Sequence, residues 1–154
     1  WKDPNLLEKQ KSLLESKADV EITKCRQHWL RFSWKETWDA QSEAGIKEDS
    51  TLMFNDRAGF RNSSCITWKP WSTNKNEPCG LRCTTSVIMD SHLYDYETLN
   101  ASQRSNLIHK LSNEIKSVSG ESYYLWHPQT LTKDYGWGDG FDMVLEVITR
   151  KDIE

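Results

Sequence analysis

His127 is the residue that this sequence best equips to move a proton. It stands directly before Pro128 at the end of an apolar run, with Asp134, Asp139 and Asp142 following downstream. A histidine beside a carboxylate is the minimum equipment for acid–base chemistry, because one ring nitrogen is held while the other exchanges a proton. Neither Gly-x-Ser-x-Gly nor His-Glu-x-x-His occurs, so no serine elbow or zinc-protease pair accompanies it. His28, His92 and His109 are isolated, and the ordinary expectation for each histidine, His127 included, is a structural or surface role.

The segment after His127 alternates aromatic residues with glycine: Tyr135 and Trp137 sit among Gly136, Gly138 and Gly140, beside Asp139. Glycines free the backbone, and long ordered loops carry function more often than short connections do. Rings next to an acid suit a sugar or a protein surface, so Tyr135, Trp137 and Asp139 are candidate binding residues. The plain alternative is that Trp137 folds back as a lid over a small core. Trp68-Lys69-Pro70-Trp71 is a second candidate, because Pro70 forces an extended or turned backbone at Lys69. Trp68 and Trp71 then either share the core or divide, one ring inward and one outward.

Four cysteines, Cys25, Cys65, Cys79 and Cys83, allow three pairings and predict a disulfide framework. Asn62-Ser63-Ser64 and Asn100-Ala101-Ser102 fit the pattern for N-linked sugar, which is attached in the same oxidising compartments. Together they predict an extracellular or lumenal protein glycosylated at Asn62 and Asn100. Cys79-x-x-x-Cys83 with His92 downstream is only a loose zinc spacing, lacking a second close pair. The acids from Asp134 to Asp142 do not follow the calcium-loop pattern. Neither a metal nor a cofactor is expected.

The composition bounds the rest. Aromatic residues make up 11% of the 154, against an overall hydrophobic share of 36%. Mean hydropathy is −0.77. Large rings bury much area per residue, so such a chain folds despite few aliphatics. The net charge of −3 without a basic block argues against a nucleic-acid partner. No apolar run approaches the length of a membrane span. The chain opens Trp1-Lys2-Asp3-Pro4 and ends Arg150-Lys151-Asp152-Ile153-Glu154, which suits a piece cut beside a linker or membrane segment.

The elements expected to position these residues form one α+β domain over 1–154, pinned by disulfides. Residues 4 to about 18 predict a helix with Leu6, Leu7, Leu13 and Leu14 recurring at seven, packed at an edge or serving as a stalk. Alternating apolar residues predict an antiparallel sheet from about 20–34, 65–68, 81–89, 122–127 and 141–149. The spacing of Trp34 and Trp38 by four competes for a helix there. Ile108, Leu111, Ile115 and Val118 share one helical face and predict a helix over 102–118, capped by Asn100 or Ser102 and closed by Gly120. Residues 39–64 read as loop with a short strand near 51–54, and 70–78 as loop. The leading functional expectation is a non-catalytic recognition module, the ectodomain of a secreted or membrane glycoprotein that binds a protein or glycan through exposed aromatics. A structural or gating ectodomain of a channel, transporter or receptor is the alternative. A small secreted hydrolase using His127 is the second.

Overall fold

The computed structural model describes residues 1–149. Helices and small sheets are mixed along the chain, an α+β composition, and the chain divides into two compact units. The first comprises Trp1–Leu52 with Thr67–Thr85; the second comprises Met53–Ile66 with the chain from Ser86 onward. The charged end expected to adjoin a linker lies outside the described residues.

In the first unit, helix α1 spans Pro4–Ala18. The Asp3 carboxylate caps it, accepting from the amides of Asn5 at 3.0 Å and Leu6 at 3.1 Å, and Pro4 fills the first turn. Asp19, in left-handed backbone, ends it. Pro4, Leu7, Lys11 and Glu15 make the half-buried stripe, whereas Leu6, Leu13 and Leu14 stay exposed. Helix α2 follows at Thr37–Glu43, and α1 packs on it. Of the strand expected over about 20–34, β1, Lys24–Cys25, is what forms. His28–Leu30 is instead a tight turn with Trp29 and Leu30 both in left-handed backbone. Trp38 sits in the first turn of α2 and is buried, whereas Trp34 precedes the helix and is exposed, so their spacing by four is not that of a shared helical face.

Strands β2 (Glu48–Asp49), β3 (Trp71–Ser72), β4 (Glu77–Pro78) and β5 (Arg82–Cys83) complete the unit. β3 and β4 pair as an antiparallel hairpin within the segment expected as loop. β1, β2 and β5 form a parallel sheet in that order. Its register makes two rows. Lys24, Glu48 and Arg82 align, and the Glu48 carboxylate accepts from Arg82 at 2.7 Å and Lys24 at 3.5 Å. Cys25, Asp49 and Cys83 align one residue on, with Asp49 and Cys83 fully buried. Asp49 accepts from Trp38 Nε1 at 3.2 Å, Gln41 Nε2 at 2.8 Å and the Thr51 amide at 3.1 Å, with the Thr51 hydroxyl as fourth donor. Burial pushes this carboxyl above its ordinary range, and the four donors pull against that.

All four cysteines are free, so the disulfide framework expected from the sequence is not what the structure contains. Cys25 and Cys83 occupy the outer strands flanking β2, two spacings of about 4.8 Å apart, beyond the ~7 Å that a bridge spans. Cys65 belongs to the second unit. Cys79 packs with Trp38, Ile46 and Leu81 in the core of the first. The thiols behave as small hydrophobes. Burial pushes Cys25 and Cys79 up to about 11, and Cys83 higher still, so they stay protonated at neutral pH.

The second unit is built on β6 (Ser86–Met89), α3 (Ala101–Ser117) and β7 (Tyr123–Leu125). β6 and β7 run parallel, pairing Ser86 with Tyr123 and Met89 with Leu125. The expected antiparallel sheet fails for a topological reason: a helix between two strands returns the chain to its starting end. α3 appears where expected, opened by a capping box between Asn100 and Gln103. Its end differs in cause. Ser119 takes the left-handed conformation, and Gly120 is required because a Cβ there would lie 2.6 Å from Cys65 Sγ. The expected last strand, 141–149, is helix α4, Gly138–Thr149. Gly140, Val144 and Val147 face inward at helical spacing, and Asp139 sits in the first turn, where the helix dipole favours an acid. Val87, Ile88, Leu93, Ile108, Leu111, Val144 and Val147 form this core.

Denatured, unreduced protein is expected to titrate four thiols with a disulfide-exchange reagent, and native protein to react slowly. A count of two or none would restore the disulfide framework.

Candidate functional site

β6 and β7 are parallel neighbours, so their carboxyl ends open on the same side, where α/β sheets place their ligands. The chain leaves β6 at Asp90 and reaches His127 two residues past β7. Asp90 and His127 meet there. The Asp90 carboxylate is 0% exposed and lies 2.7 Å from His127 Nδ1, while the His127 side chain is 45% exposed. Asp90 also accepts from the His127 amide at 3.0 Å, the Thr130 hydroxyl at 2.9 Å and the Ser91 amide at 2.8 Å.

The arrangement is over-determined. Pro128 opens a short 3-10 turn, Pro128–Leu131, and lacks the N–H that such a first position would leave unpaired. Thr130 closes the turn, its amide donating to the His127 carbonyl at 3.0 Å while its hydroxyl serves Asp90. Amide, carbonyl and ring of His127 are thus all held. A carboxylate acceptor calls for a donor at Nδ1, so in the neutral ring the hydrogen sits on Nδ1 and Nε2 carries the lone pair. The sequence singled out His127 but paired it with the wrong acids: its partner lies 37 residues upstream. Asp134 and Asp142 lie exposed.

Asp139 has another task. It accepts from the Tyr94 hydroxyl at 2.5 Å and from Arg104 at 2.7 Å. Burial pushes its carboxyl up, but the bonds from Tyr94 and Arg104 outweigh this and hold it below the ordinary range. Burial and the Asp139 contact raise the Tyr94 phenol. The Tyr94 oxygen also accepts from the Gly140 amide at 2.9 Å, and a Cβ on Gly140 would meet it at 2.5 Å, which explains that glycine. Trp137 stacks on Tyr94 with centroids 4.8 Å apart and planes at 10°, and the Arg104 guanidinium lies 4.3 Å from the centre of the same ring. Tyr135 abuts Trp137 edge-on at 4.7 Å and remains exposed. Of the loop candidates, Tyr135 presents its ring, Trp137 folds back, and Asp139 is engaged internally.

Of the other pair, Trp68 is half-buried against Trp38 and Trp71 is 54% exposed. Asn100 is exposed with its side-chain oxygen in the helix cap, and Asn62 is half-buried. His92 is structural: its Nδ1 accepts from the Met89 amide at 3.1 Å and its Nε2 meets the Phe54 carbonyl at 3.1 Å. Among the described residues no cluster of histidine, cysteine and acid suits a metal, the Cys79–Cys83–His92 set included. None of the described helices is long and apolar enough to cross a membrane. Asp90, Tyr94, Arg104 and Thr130 escaped sequence reasoning; the detectable signal was Asp90, an acid directly closing the buried run Ser86–Met89. No family model matches the chain, and neither a curated protein nor a solved structure matches it.

Asp139 titrates lower in the fold than in the unfolded chain, so its stabilisation is present above its unfolded value and lost as pH falls through the folded one. The stability difference between wild type and Asp139→Asn should hold steady from pH 7 to 5 and close below about pH 4. Urea denaturation across that range measures it, and a gap that widens on acidification would contradict the assignment.

Proposed function

We propose that the second unit carries a hydrolytic acid–base centre acting on a glycan-type substrate, with His127 as the proton-transferring residue and Asp90 as its positioning residue. One observation carries this reading: a water-excluded carboxylate lies 2.7 Å beneath a half-exposed imidazole at the carboxyl ends of two parallel strands. In the reaction, Nε2 takes a proton from water as the water oxygen bonds to the electrophilic carbon of the substrate. The bond to the leaving atom breaks with its electron pair, and the proton passes from Nε2 to that atom. Asp90 stabilises the imidazolium between the two transfers. The sugar assignment rests on Tyr135, exposed in the loop that His127 opens, since a ring face suits the C–H face of a sugar.

A second reading, recognition without catalysis, is favoured by the first unit. There Trp29, Trp34 and Trp71 are 76%, 55% and 54% exposed. A structural or gating role draws on the exposed Leu6, Leu13 and Leu14 of α1. Residence outside the cytosol rests on the sequons at Asn62 and Asn100, the cysteines being unpaired.

Against a panel of chromogenic glycosides and sugar esters, the wild type is expected to turn over at least one. His127→Ala should lower kcat about a hundredfold or more. Asp90→Asn should lower kcat while preserving KM. Turnover unaffected by His127→Ala would remove the catalytic reading.

A further inference from the structure

The segment 24–35 interleaves cations with rings: Lys24, Arg26, Arg31 and Lys35 accompany His28, Trp29, Phe32 and Trp34, and no acid falls among them. Lys24 is taken up by Glu48. Arg31 and Lys35 stand exposed between and beside the two most exposed tryptophans, Trp29 at 76% and Trp34 at 55%. Burial of Leu30 anchors the turn, where Trp29 and Leu30 are both in left-handed backbone, and the exposed Trp29 ring lies tilted at 56° to His28 with centroids 5.8 Å apart. Trp34 is braced edge-on by Phe32 at 5.0 Å and Trp38 at 5.4 Å, so its free face is held rather than mobile. Trp29 and Trp34 are five residues apart, so their Cα atoms lie at most about 18 Å from each other. The next acid, Glu36, is occupied by Lys2 at 3.1 Å.

We propose that Trp29 and Trp34, with Arg31 and Lys35, form a binding surface for an acidic polysaccharide, a chain of sugar rings bearing carboxylate groups. The proposal rests on the recognition reading above and names its ligand. Indole faces stack on the apolar faces of sugar rings, and a guanidinium and an ammonium beside them suit the carboxylates. Charge complementarity selects the acidic class over neutral glycans. A nucleic acid fits less well: two exposed cations fall far below the roughly 6–10 phosphate contacts of nucleic-acid binders, and the chain carries a net charge of −3.

The test is affinity electrophoresis and titration calorimetry of the full chain with polygalacturonate, with dextran and an oligothymidylate as comparisons. Polygalacturonate should retard the wild type, and added salt should weaken the effect. Trp29→Ala, Trp34→Ala and the Arg31→Ala/Lys35→Ala double variant should each reduce affinity about tenfold or more, with unchanged circular dichroism. Equal retardation by dextran, or preference for the oligothymidylate, would overturn the acidic-glycan assignment while leaving recognition by these rings intact. Binding of polygalacturonate unaffected by every variant would overturn the surface. Failure to bind any of the three polymers would overturn the proposal and remove the support for recognition.

Discussion

A carboxylate sealed from water must be surrounded by donors, and in the second unit Asp90 satisfies that demand by collecting four: two amides, a hydroxyl and an imidazole. Leaving such a group unpaired costs several kcal/mol, so its donors are bound to it as tightly as it is to them. The consequence is positional. The chain leaving β7 must bring the His127 amide and ring, and Thr130 beyond them, to one carboxylate at the end of β6. Pro128 and the turn behind it comply. The placement of the His127 ring is therefore a by-product of burying Asp90, and the pre-organisation that the proposed acid–base role needs comes with the fold.

The first unit uses the same device for a different end. Asp49, in the middle strand of its sheet, is equally inaccessible and also gathers four donors, among them Trp38 and Gln41 of α2. None of those donors titrates or faces solvent, so the result is a strut between helix and sheet. The difference lies in the surface outside. Around Asp90 the outermost donor is a half-exposed imidazole; around Asp49 the outermost groups are the paired charges of Lys24, Glu48 and Arg82.

Elements with several turns of unambiguous spacing were legible in the sequence. α3 repeats its apolar positions along one face and opens at the expected Asn100, and α1 starts at the expected Pro4, although the leucine repeat that suggested α1 is not the face that packs. α4 was not legible, because Phe141, Met143, Leu145 and Val147 satisfy a period of two as well as a helical face does, and only packing selects 140, 144 and 147. Cysteines at plausible spacing suggested bridges, but spacing says nothing of a strand standing between two of them. His127 was visible as an acid–base candidate. Its partner was not, since nearness in sequence pointed to Asp139, and only the parallel pairing of β6 with β7 brings Asp90 to it. Gly120 and Gly140 were visible as punctuation, yet their cause is close approach by Cys65 and Tyr94 rather than backbone freedom.

The central claim is that the buried Asp90 carboxylate holds the His127 imidazole as its Nδ1–H tautomer, leaving Nε2 to exchange the proton. Long-range proton–nitrogen NMR of the imidazole side chains, at a pH where His127 is neutral, reads this directly. The account predicts a protonated Nδ1 and an unprotonated Nε2 for His127, with the preference lost in Asp90→Asn. A ring protonated at Nε2, or one averaging between tautomers alike in wild type and variant, would contradict it.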